Sequence, residues 1–342
     1  MRIFSNATVW LVITILSISI MAVYAEDYQA QIETLQNKQK ELVAQMEEAS
    51  QANDTNAYNV ARDEFNKVKA ELQKLKEKIT SAQDQESQAK IAFNKGGALL
   101  QKRQYEEAVA EFDKAIAINP DYDKAYYMKG YALTRLKRYA DATSAYEKAL
   151  EINPEDSRII FALGKLYEAQ GQGKKAISLY ENALSVDSKN AKAAYSIGAV
   201  YVGWDAYSDA AQAFQRAVEI DSTYDLAYTG WGTSLLELGK VNSAIEKLKK
   251  AIAIDTKNGD SFYRLAKAYN AVGDYNAALE AGEKAMQLSK RSKTFKAAAS
   301  IEKGNALEGM GKKTEAKAAF QEAAQLDRKW KDWVDHHIEK MQ

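Results

Sequence analysis

Few side chains in this sequence could carry catalysis, and their spacing does not bring them together. The two histidines, His336 and His337, are adjacent, so on a helix they point to different faces and cannot bind one metal ion as a pair four residues apart could. No cysteine is present, which removes thiolate nucleophiles, disulfide bonds and a lipid-carrying N-terminal cysteine. We therefore predict a protein that is not an enzyme and that uses no cofactor and no metal ion.

The charged residues are numerous but balanced, with 47 Lys and Arg against 47 Asp and Glu and a formal net charge of +0. Many carboxylates alternate with lysine, as in Glu246-Lys247 and Glu283-Lys284, which is typical of solvated helix faces. Neither a glycine-rich phosphate loop nor a Gly-x-Ser-x-Gly turn occurs. This balance argues against nucleic acid as a partner.

The elements that would position binding residues follow a fixed period, which is the first feature to look for in a sequence. Alanines recur 34 residues apart, at Ala108, Ala142, Ala176, Ala210, Ala244 and Ala278. A column of small residues precedes them, at Gly96, Gly130, Gly164, Gly198, Gly232 and Ala266. A column of large residues follows them, at Phe112, Tyr146, Tyr180, Phe214 and Leu248. Apolar residues at helical spacing around these columns predict two helices per repeat, packed closely where the small residues lie.

A seventh unit contains Ala316, which lies 38 residues after Ala278. We expect the four additional residues in the connection at Ser289–Lys293. Two other positions depart from the pattern. Asp205 stands where a turn glycine is expected, and Gly282 stands in the column of large residues. The glycine predicts a locally thin core or a notch that faces a ligand.

These columns resemble those that define the tetratricopeptide-repeat (TPR) family, over about residues 89–330. The resemblance implies an all-α TPR superhelical solenoid with seven helix pairs over residues 89–324 and a capping helix over residues 325–342. Because no single pair can bury its apolar face, the stacked pairs share one core.

In this family the first helix of each pair lines a concave groove, and ligand contacts cluster at its second, fifth and ninth positions. The resemblance therefore implies a groove with aromatic side chains, flanked by basic residues over repeats 1–4. The fifth positions are Phe93, Tyr127, Phe161, Tyr195, Thr229, Tyr263 and Ile301. The partner-binding candidates are Lys124, Tyr127, Tyr131, Arg158, Phe161, Lys165, Lys192, Tyr195 and Tyr263.

Aromatic residues beside cations suit an extended or acidic peptide segment. The alternative is that these aromatics only pack between neighbouring first helices and that the lysines are ordinary solvated surface. The carboxylate clamp of some TPR domains is absent, because Met128 and Ala162 stand where it requires polar side chains.

The segment at residues 26–88 has a heptad pattern and predicts an antiparallel helical hairpin. One apolar stripe includes Leu35 and Leu42, a second includes Val68 and Leu72, and turn-forming residues separate them at 53–56. We expect helices near 27–52 and 57–85, with a polar joint at 84–88. The hairpin either folds on itself or caps the first repeat, or it mediates homo-oligomerisation. This domain order is loosely similar to that of periplasmic coiled-coil/TPR envelope proteins.

The first 25 residues have the pattern of a secretory signal peptide. Arg2 precedes an uncharged apolar stretch at Val9–Val23, and Ala25 supplies a small residue at the expected cleavage position. We expect a periplasmic or secreted protein, without membrane insertion after cleavage. An uncleaved N-terminal anchor is the alternative, because the stretch is nearly long enough to span a bilayer.

The sequence therefore predicts a non-enzymatic scaffold of the cell envelope that binds a protein or peptide segment in its groove. Capture of a solute or polysaccharide by the same groove is one alternative. A structural or cell-division role that depends on the coiled coil is another. The identity of a protein partner is not encoded by the scaffold columns.

Overall fold

The computed structural model describes the backbone of residues 6–288 and 292–341, and side chains from residue 28 onwards within those ranges. These residues form sixteen α-helices and no β-strand. The helices are α1 Asn6–Gln51, α2 Thr55–Gln101, α3 Tyr105–Ile118, α4 Asp123–Arg135, α5 Tyr139–Ile152, α6 Ser157–Ala169, α7 Gly173–Val186, α8 Ala191–Val202, α9 Tyr207–Ile220, α10 Asp225–Glu237, α11 Val241–Ile254, α12 Gly259–Val272, α13 Tyr275–Leu288, α14 Lys293–Gly309, α15 Lys313–Leu326 and α16 Lys331–Lys340.

The chain divides into two compact units, Met1–Ile159 and Ile160–Gln342. The first unit contains the hairpin and the first two helix pairs, and the second contains α7 to α16. Helix α6 crosses the boundary between them. The predicted all-α repeat fold is confirmed, because a first and a second helix alternate through the repeats in both units.

Within each repeat, a glycine of the first helix lies against a large side chain of the second helix. A Cβ atom placed on Gly130 would lie 2.8 Å from the Tyr146 ring, and one placed on Gly198 would lie 2.8 Å from the Phe214 ring. Both rings are buried. The small and large columns of the sequence are therefore two sides of one contact, which leaves no room for a larger residue at the glycine.

The turn between the two helices of each repeat contains one residue in the left-handed region. Four repeats place glycine there, at Gly171, Gly239, Gly273 and Gly311. Three repeats place a residue with a side chain there, at Arg103 (φ 60°), Lys137 (φ 61°) and Asp205 (φ 55°). Asp205 thus adopts the conformation of the glycine that it replaces, at a steric cost that glycine avoids.

The four additional residues of repeat 7 lie in a helix, and their predicted location at Ser289–Lys293 is wrong. Helix α13 has 14 residues like the other second helices, and four residues separate it from α14, as four separate α11 from α12. Helix α14 has 17 residues, whereas α12 has 14. The insertion therefore forms one more N-terminal turn of α14, where alanines and lysines favour helix.

Gly282 forms neither a thin core nor a notch, so that prediction is wrong as well. The residue is buried, and a Cβ atom placed on it would lie 3.5 Å from the backbone nitrogen of Lys303 and 3.6 Å from the carbonyl oxygen of Ala299. The backbone of α14 occupies the space that a large side chain fills in other repeats. Glycine is used here for close approach of two helices.

The hairpin forms as predicted, but its second helix does not end near residue 85. Leu42, Ala61 and Val68 form a buried cluster between α1 and α2, and Asp54 caps α2 by accepting hydrogen bonds from two backbone N–H groups. Helix α2 then continues through 84–88 to Gln101, so that one helix serves both the hairpin and repeat 1. The polar residues of the expected joint include no glycine or proline, and Glu86 and Lys90 form an ion pair one turn apart at 2.7 Å.

The C-terminal helix α16 packs on α15 and covers the end of the array, as solenoids require. Val334 is buried in a cluster that includes Phe320. The His337 ring stacks on Trp333 with 4.6 Å between ring centroids, and His337 Nε2 lies 2.8 Å from Glu308 Oε2. His337 therefore has a packing role in the cap.

The predicted signal peptide at residues 1–25 lies outside the residues whose side chains are described. Its cleavage stays a prediction. In the part of the chain that is described, no helix is both long enough and apolar enough to cross a membrane.

Candidate functional site

We define the first-helix face as the surface formed by the second, fifth and ninth positions of the first helix in each pair. The candidate residues predicted from the sequence all belong to it. The face is described separately for each compact unit.

In the first unit, the aromatic residues at the fifth position rest on the aromatic residues of the second helices. The ring centroid of Phe93 lies 5.8 Å from that of Phe112 and 5.0 Å from that of Tyr122. Tyr127 lies 5.9 Å from Tyr146. Phe93 and Tyr127 are only partly buried. Their inner edges thus belong to the repeat core, while their outer edges remain accessible.

A slot of about 80 Å³ lies beside Tyr127 and Phe93. It brings together three predicted candidates, Lys124, Tyr127 and Arg158, and its apolar wall includes Ile159. Tyr131, at the ninth position of α4, is 41% exposed and lies outside this lining. The slot is thus amphipathic, which is typical of a site for a peptide side chain.

The slot also contains two carboxylates that the sequence analysis missed, Asp123 and Asp156. Asp123 accepts a hydrogen bond of 3.0 Å from the Asn153 amide. Asp156 accepts two hydrogen bonds from the Arg158 guanidinium, at 3.0 and 2.6 Å. The expected excess of positive charge is therefore wrong for this slot, because two cations face two anions.

The pKa shifts in the slot follow from burial and from the ion pair. Burial raises the pKa of Tyr127, and the nearby Arg158 partly opposes that rise. Burial also acts to raise the pKa of Asp156, but hydrogen bonds from Arg158 outweigh it and lower the pKa below the ordinary value. The slot therefore presents a protonated phenol and an ionised carboxylate near neutral pH.

In the second unit, the fifth positions repeat the same aromatic contact. Phe161 lies 5.4 Å from Tyr180, and Tyr195 lies 5.4 Å from Phe214. Tyr195 also lies 5.2 Å from Tyr224. These rings are again partly buried, so both expectations for the aromatic residues hold in part: they pack within the repeat, and they keep an accessible edge.

Three further fifth positions of the second unit differ from that pattern. Tyr263 makes an edge contact with Phe295 at 5.5 Å. Thr229 is buried and shares a hydrogen bond of 2.7 Å with Ser261, and Ile301 is buried. The aromatic column is therefore interrupted at repeats 5 and 7.

Carboxylates also accompany the predicted cations of the second unit. Lys165 pairs with Glu168 at 2.8 Å, and Glu168 accepts a short hydrogen bond from the Tyr180 hydroxyl. Lys192 is exposed. Burial raises the pKa of Tyr195, and nearby Asp260 and Glu168 add to the rise. The surroundings of Tyr195 are therefore acidic, which the basic column of the sequence did not predict.

The carboxylates escaped notice because each lies at the start of a helix. Asp123 is the first residue of α4, and Asp156 precedes α6 and accepts the backbone N–H of Arg158 at 2.9 Å. In the sequence both are indistinguishable from helix-capping residues. Their position directly before the basic column was the one available signal.

Family models of tetratricopeptide repeats match most of the repeat region. The model described as the Psidin N-terminal TPR repeats region matches residues 98–231. Models described as TPR repeat or tetratricopeptide repeat match residues 232–273, 260–292 and 297–329. No curated protein matches the sequence.

Solved structures of repeat proteins share the fold. The C-terminal part of a TPR repeat-containing protein from Cytophaga hutchinsonii is 19% identical, with a TM-score of 0.58 over 70% of this chain and 98% of that one. A tetratricopeptide repeat protein from Parabacteroides merdae is 18% identical, with a TM-score of 0.53 over 75% and 99%. The pilF protein of Pseudomonas aeruginosa is 19% identical, with a TM-score of 0.53 over 63% and 97%. At these identities the likeness concerns the fold alone.

Proposed function

The chain is a tetratricopeptide-repeat protein, and from that premise we propose that its first-helix face binds an extended segment of a protein partner. The fold is a scaffold for interaction between proteins, since stacked helix pairs create long binding surfaces. The finer proposal concerns where the segment binds and what chemistry recognises it. We propose a non-catalytic role, because the chemistry of the described faces is that of contact surfaces.

The observation that carries the proposal is the half-buried state of the fifth-position aromatics. Tyr127 and Tyr195 each contact an aromatic residue of their own second helix and keep one edge accessible. A ring that is held on one side loses little conformational entropy when a ligand contacts the other side. Purely structural aromatics would be covered on both sides.

The charges support a partner of mixed charge. In the first unit the slot beside Tyr127 offers Lys124 and Arg158 together with Asp123 and Asp156. In the second unit Asp260 and Glu168 act on Tyr195. A uniformly acidic segment would meet a carboxylate in both places. We therefore propose a segment that alternates acidic and basic side chains around apolar or aromatic residues.

We further propose export from the cytoplasm, on the strength of the apolar stretch at residues 9–23 and the small residue at Ala25. Cell fractionation of the full chain, with mass analysis of the mature N-terminus, tests this point. Recovery of intact protein in the cytosolic fraction would contradict it.

Capture from envelope extract tests the binding face. The double variant Tyr127→Ala/Tyr195→Ala should lose a partner that the wild type recovers. The matched control is Tyr126→Ala, because Tyr126 is a half-buried tyrosine on the same helix that lines a different surface. Circular dichroism must show that all variants are folded. Equal recovery of every partner by the double variant would reject the proposal.

Homo-oligomerisation through residues 26–88 stays a prediction with weaker support. The hairpin buries Leu42 and Val68 within itself, while Val43 and Val60 are exposed. Light scattering of the chain with and without residues 26–80 would decide the point. A monomer in both cases would remove the hairpin as an association element.

A further inference from the structure

The second-helix side of the second unit contains a cavity that the proposed function does not use. We define the Trp231 trough as the cavity of about 420 Å³ between α9 and α11, with α10 as its floor. Trp231, Leu235 and Leu238 form the floor, at helical spacing. Trp231 is two residues from the fifth and from the ninth position of α10, so it points about 200° away from the first-helix face.

A matched cavity of about 340 Å³ lies between α3 and α5, three repeats earlier. There Lys129 takes the place of Trp231 and Asp113 takes the place of Gln215. Lys129 and Asp113 form an ion pair of 2.6 Å, and Arg138 pairs with Asp141 at 2.7 Å on the same wall. The charges of this earlier cavity are thus satisfied within the chain.

The same type of ion pair recurs in repeat 7, where Lys303 pairs with Glu283 at 3.0 Å. Repeats 3, 4 and 6 have Leu163, Ile197 and Leu265 in the column of Trp231. A cavity at this place is therefore a product of the repeat geometry. A tryptophan without the ion pair is peculiar to repeat 5, and this difference requires an explanation.

Both faces of the Trp231 ring are in contact with other side chains. The ring stacks on Tyr228 at 6.4 Å and 20°, and the Lys247 ammonium lies 4.5 Å from its centroid on a side chain that is 16% exposed. A sugar ring would need a free indole face for stacking. An aliphatic side chain needs only the ring edge and the neighbouring leucines, and Leu238 is 39% exposed.

The walls of the trough offer hydrogen bonds that the protein leaves unused. Within the described residues, the side chains of Ser208, Gln212 and Ser243 make no hydrogen bond. Hydroxyl and amide groups both donate and accept, as peptide backbone groups do. A helical ligand has already paired its backbone groups, so these walls suit an extended segment.

The charges at the rim favour an anion. Glu246 pairs with Lys247 at 2.9 Å and lies 3.6 Å from Lys250. Lys240 also lines the trough. Three lysines therefore share one carboxylate, and a carboxylate on a ligand would improve the balance.

We propose that the Trp231 trough is a second docking site, and that its occupant is an extended peptide segment of a partner with apolar side chains next to acidic residues. The apolar side chains lie on Leu235, Leu238 and the edge of Trp231. The acidic side chains face Lys240 and Lys247, and the peptide backbone pairs with the wall amide and hydroxyls. The chain would then hold one segment on each side of its repeats.

Fluorine NMR of the full chain labelled with 5-fluorotryptophan tests this site directly. The sequence has five tryptophans, and the variant Trp231→Phe assigns the resonance of interest. The probes are the blocked peptide Gly-Leu-Glu-Leu-Asp-Gly, its counterpart Gly-Leu-Lys-Leu-Lys-Gly, and cellopentaose. The acidic peptide should shift the Trp231 resonance in a saturable manner and bind at least about tenfold more tightly than the basic one.

Two sets of variants separate binding from folding. Gln215→Asp/Trp231→Lys gives the trough the ion pair of the earlier cavity, and it should weaken binding of the fluorescein-labelled acidic peptide at least about tenfold. Lys240→Glu/Lys247→Glu changes only rim charges and should reverse the preference between the two peptides. Tyr127→Ala should leave this binding unchanged, which keeps the result independent of the first-helix face.

Three outcomes would overturn the proposal. The first is that neither peptide shifts the Trp231 resonance. The second is that Lys240→Glu/Lys247→Glu leaves the affinity for the acidic peptide unchanged. The third is that cellopentaose shifts the Trp231 resonance at concentrations where the acidic peptide does not, which would assign the trough to a carbohydrate.

Discussion

The first-helix faces of the two units have the same aromatic framework and different charges. Tyr127 in the first unit and Tyr195 in the second lie 5.9 and 5.4 Å from the large residue of their own repeat. Burial raises the pKa of both phenols. Beyond burial, Arg158 has the larger influence on Tyr127, whereas Asp260 and Glu168 act on Tyr195. Repetition therefore fixes the scaffold, and the residues between the columns determine the chemistry of each unit.

The largest expected effect comes from removing the large residue behind each tyrosine. Tyr146→Ala and Phe214→Ala each create a cavity and should cost about 3–5 kcal/mol. Because a repeat contacts only its neighbours, protection against hydrogen exchange should fall around the mutated repeat first. Loss of protection that is uniform across both units would contradict this local coupling.

Enlarging the glycines opposite these rings gives a smaller effect with a sharper control. Gly130→Leu and Gly198→Leu should each cost about 1–3 kcal/mol, because the Cβ alone would lie 2.8 Å from a buried ring. Gly97, also within a first helix, has open space around its Cβ position. Gly97→Leu should be neutral or stabilising when unfolding is followed in urea. Equal losses at Gly97 and Gly130 would show that helix propensity, and not packing, explains the glycine column.

The turns distinguish the two units at about 1 kcal/mol. The first unit has Arg103 and Lys137 in the left-handed region, whereas the second has glycine in all but one of its turns. Lys137→Gly should therefore stabilise the first unit, and Gly239→Lys should destabilise the second by about 1 kcal/mol. Thermal unfolding of both variants checks the signs. Destabilisation by Lys137→Gly would mean that the lysine side chain makes contacts that outweigh its backbone strain.

The smallest effect concerns the acid limb of stability. The pKa of Asp156 is lowered in the folded protein, since Arg158 outweighs burial. Its ionised form therefore stabilises the fold above about pH 4, the ordinary value, and this contribution disappears as the pH falls through the folded pKa. Asp156→Asn should lose less than about 1 kcal/mol at pH 7, because Arg158 is largely exposed. The variant should also show a flatter decline in acid, and an unchanged acid limb would contradict the assignment.

The columns of the sequence predicted the contacts of the repeats because glycine and a large residue face each other at a fixed distance along the chain. Gly198 and Phe214 show this directly. The pattern could not predict that α2 passes unbroken from the hairpin into repeat 1, because residues 84–88 are polar and exposed and no packing signal marks them. Nor could it predict that four inserted residues extend α14, since a helix and a connection tolerate the same residue types there.

The candidate site was predicted less completely than the fold. Position within the repeat identified Tyr127, Lys124 and Arg158, and all three line one slot. Asp123 and Asp156 were read as helix-start residues, and only the packing of α4 near the start of α6 shows them in the same slot. The charge of a binding face depends on which side chains meet in space, and sequence periodicity alone does not contain that information.

The central claim is that the first-helix face binds an extended protein segment, and crosslinking tests it most directly. Benzoylphenylalanine placed at Tyr127 and, in a matched protein, at Tyr126 compares neighbouring residues that line different surfaces of the first unit. The peptide crosslinked in intact cells is sequenced, synthesised and titrated against wild type and Tyr127→Ala. We predict a discrete adduct from position 127 alone and an affinity that falls at least about tenfold in Tyr127→Ala. The same adduct from both positions, or equal affinity for the two proteins, would contradict the claim.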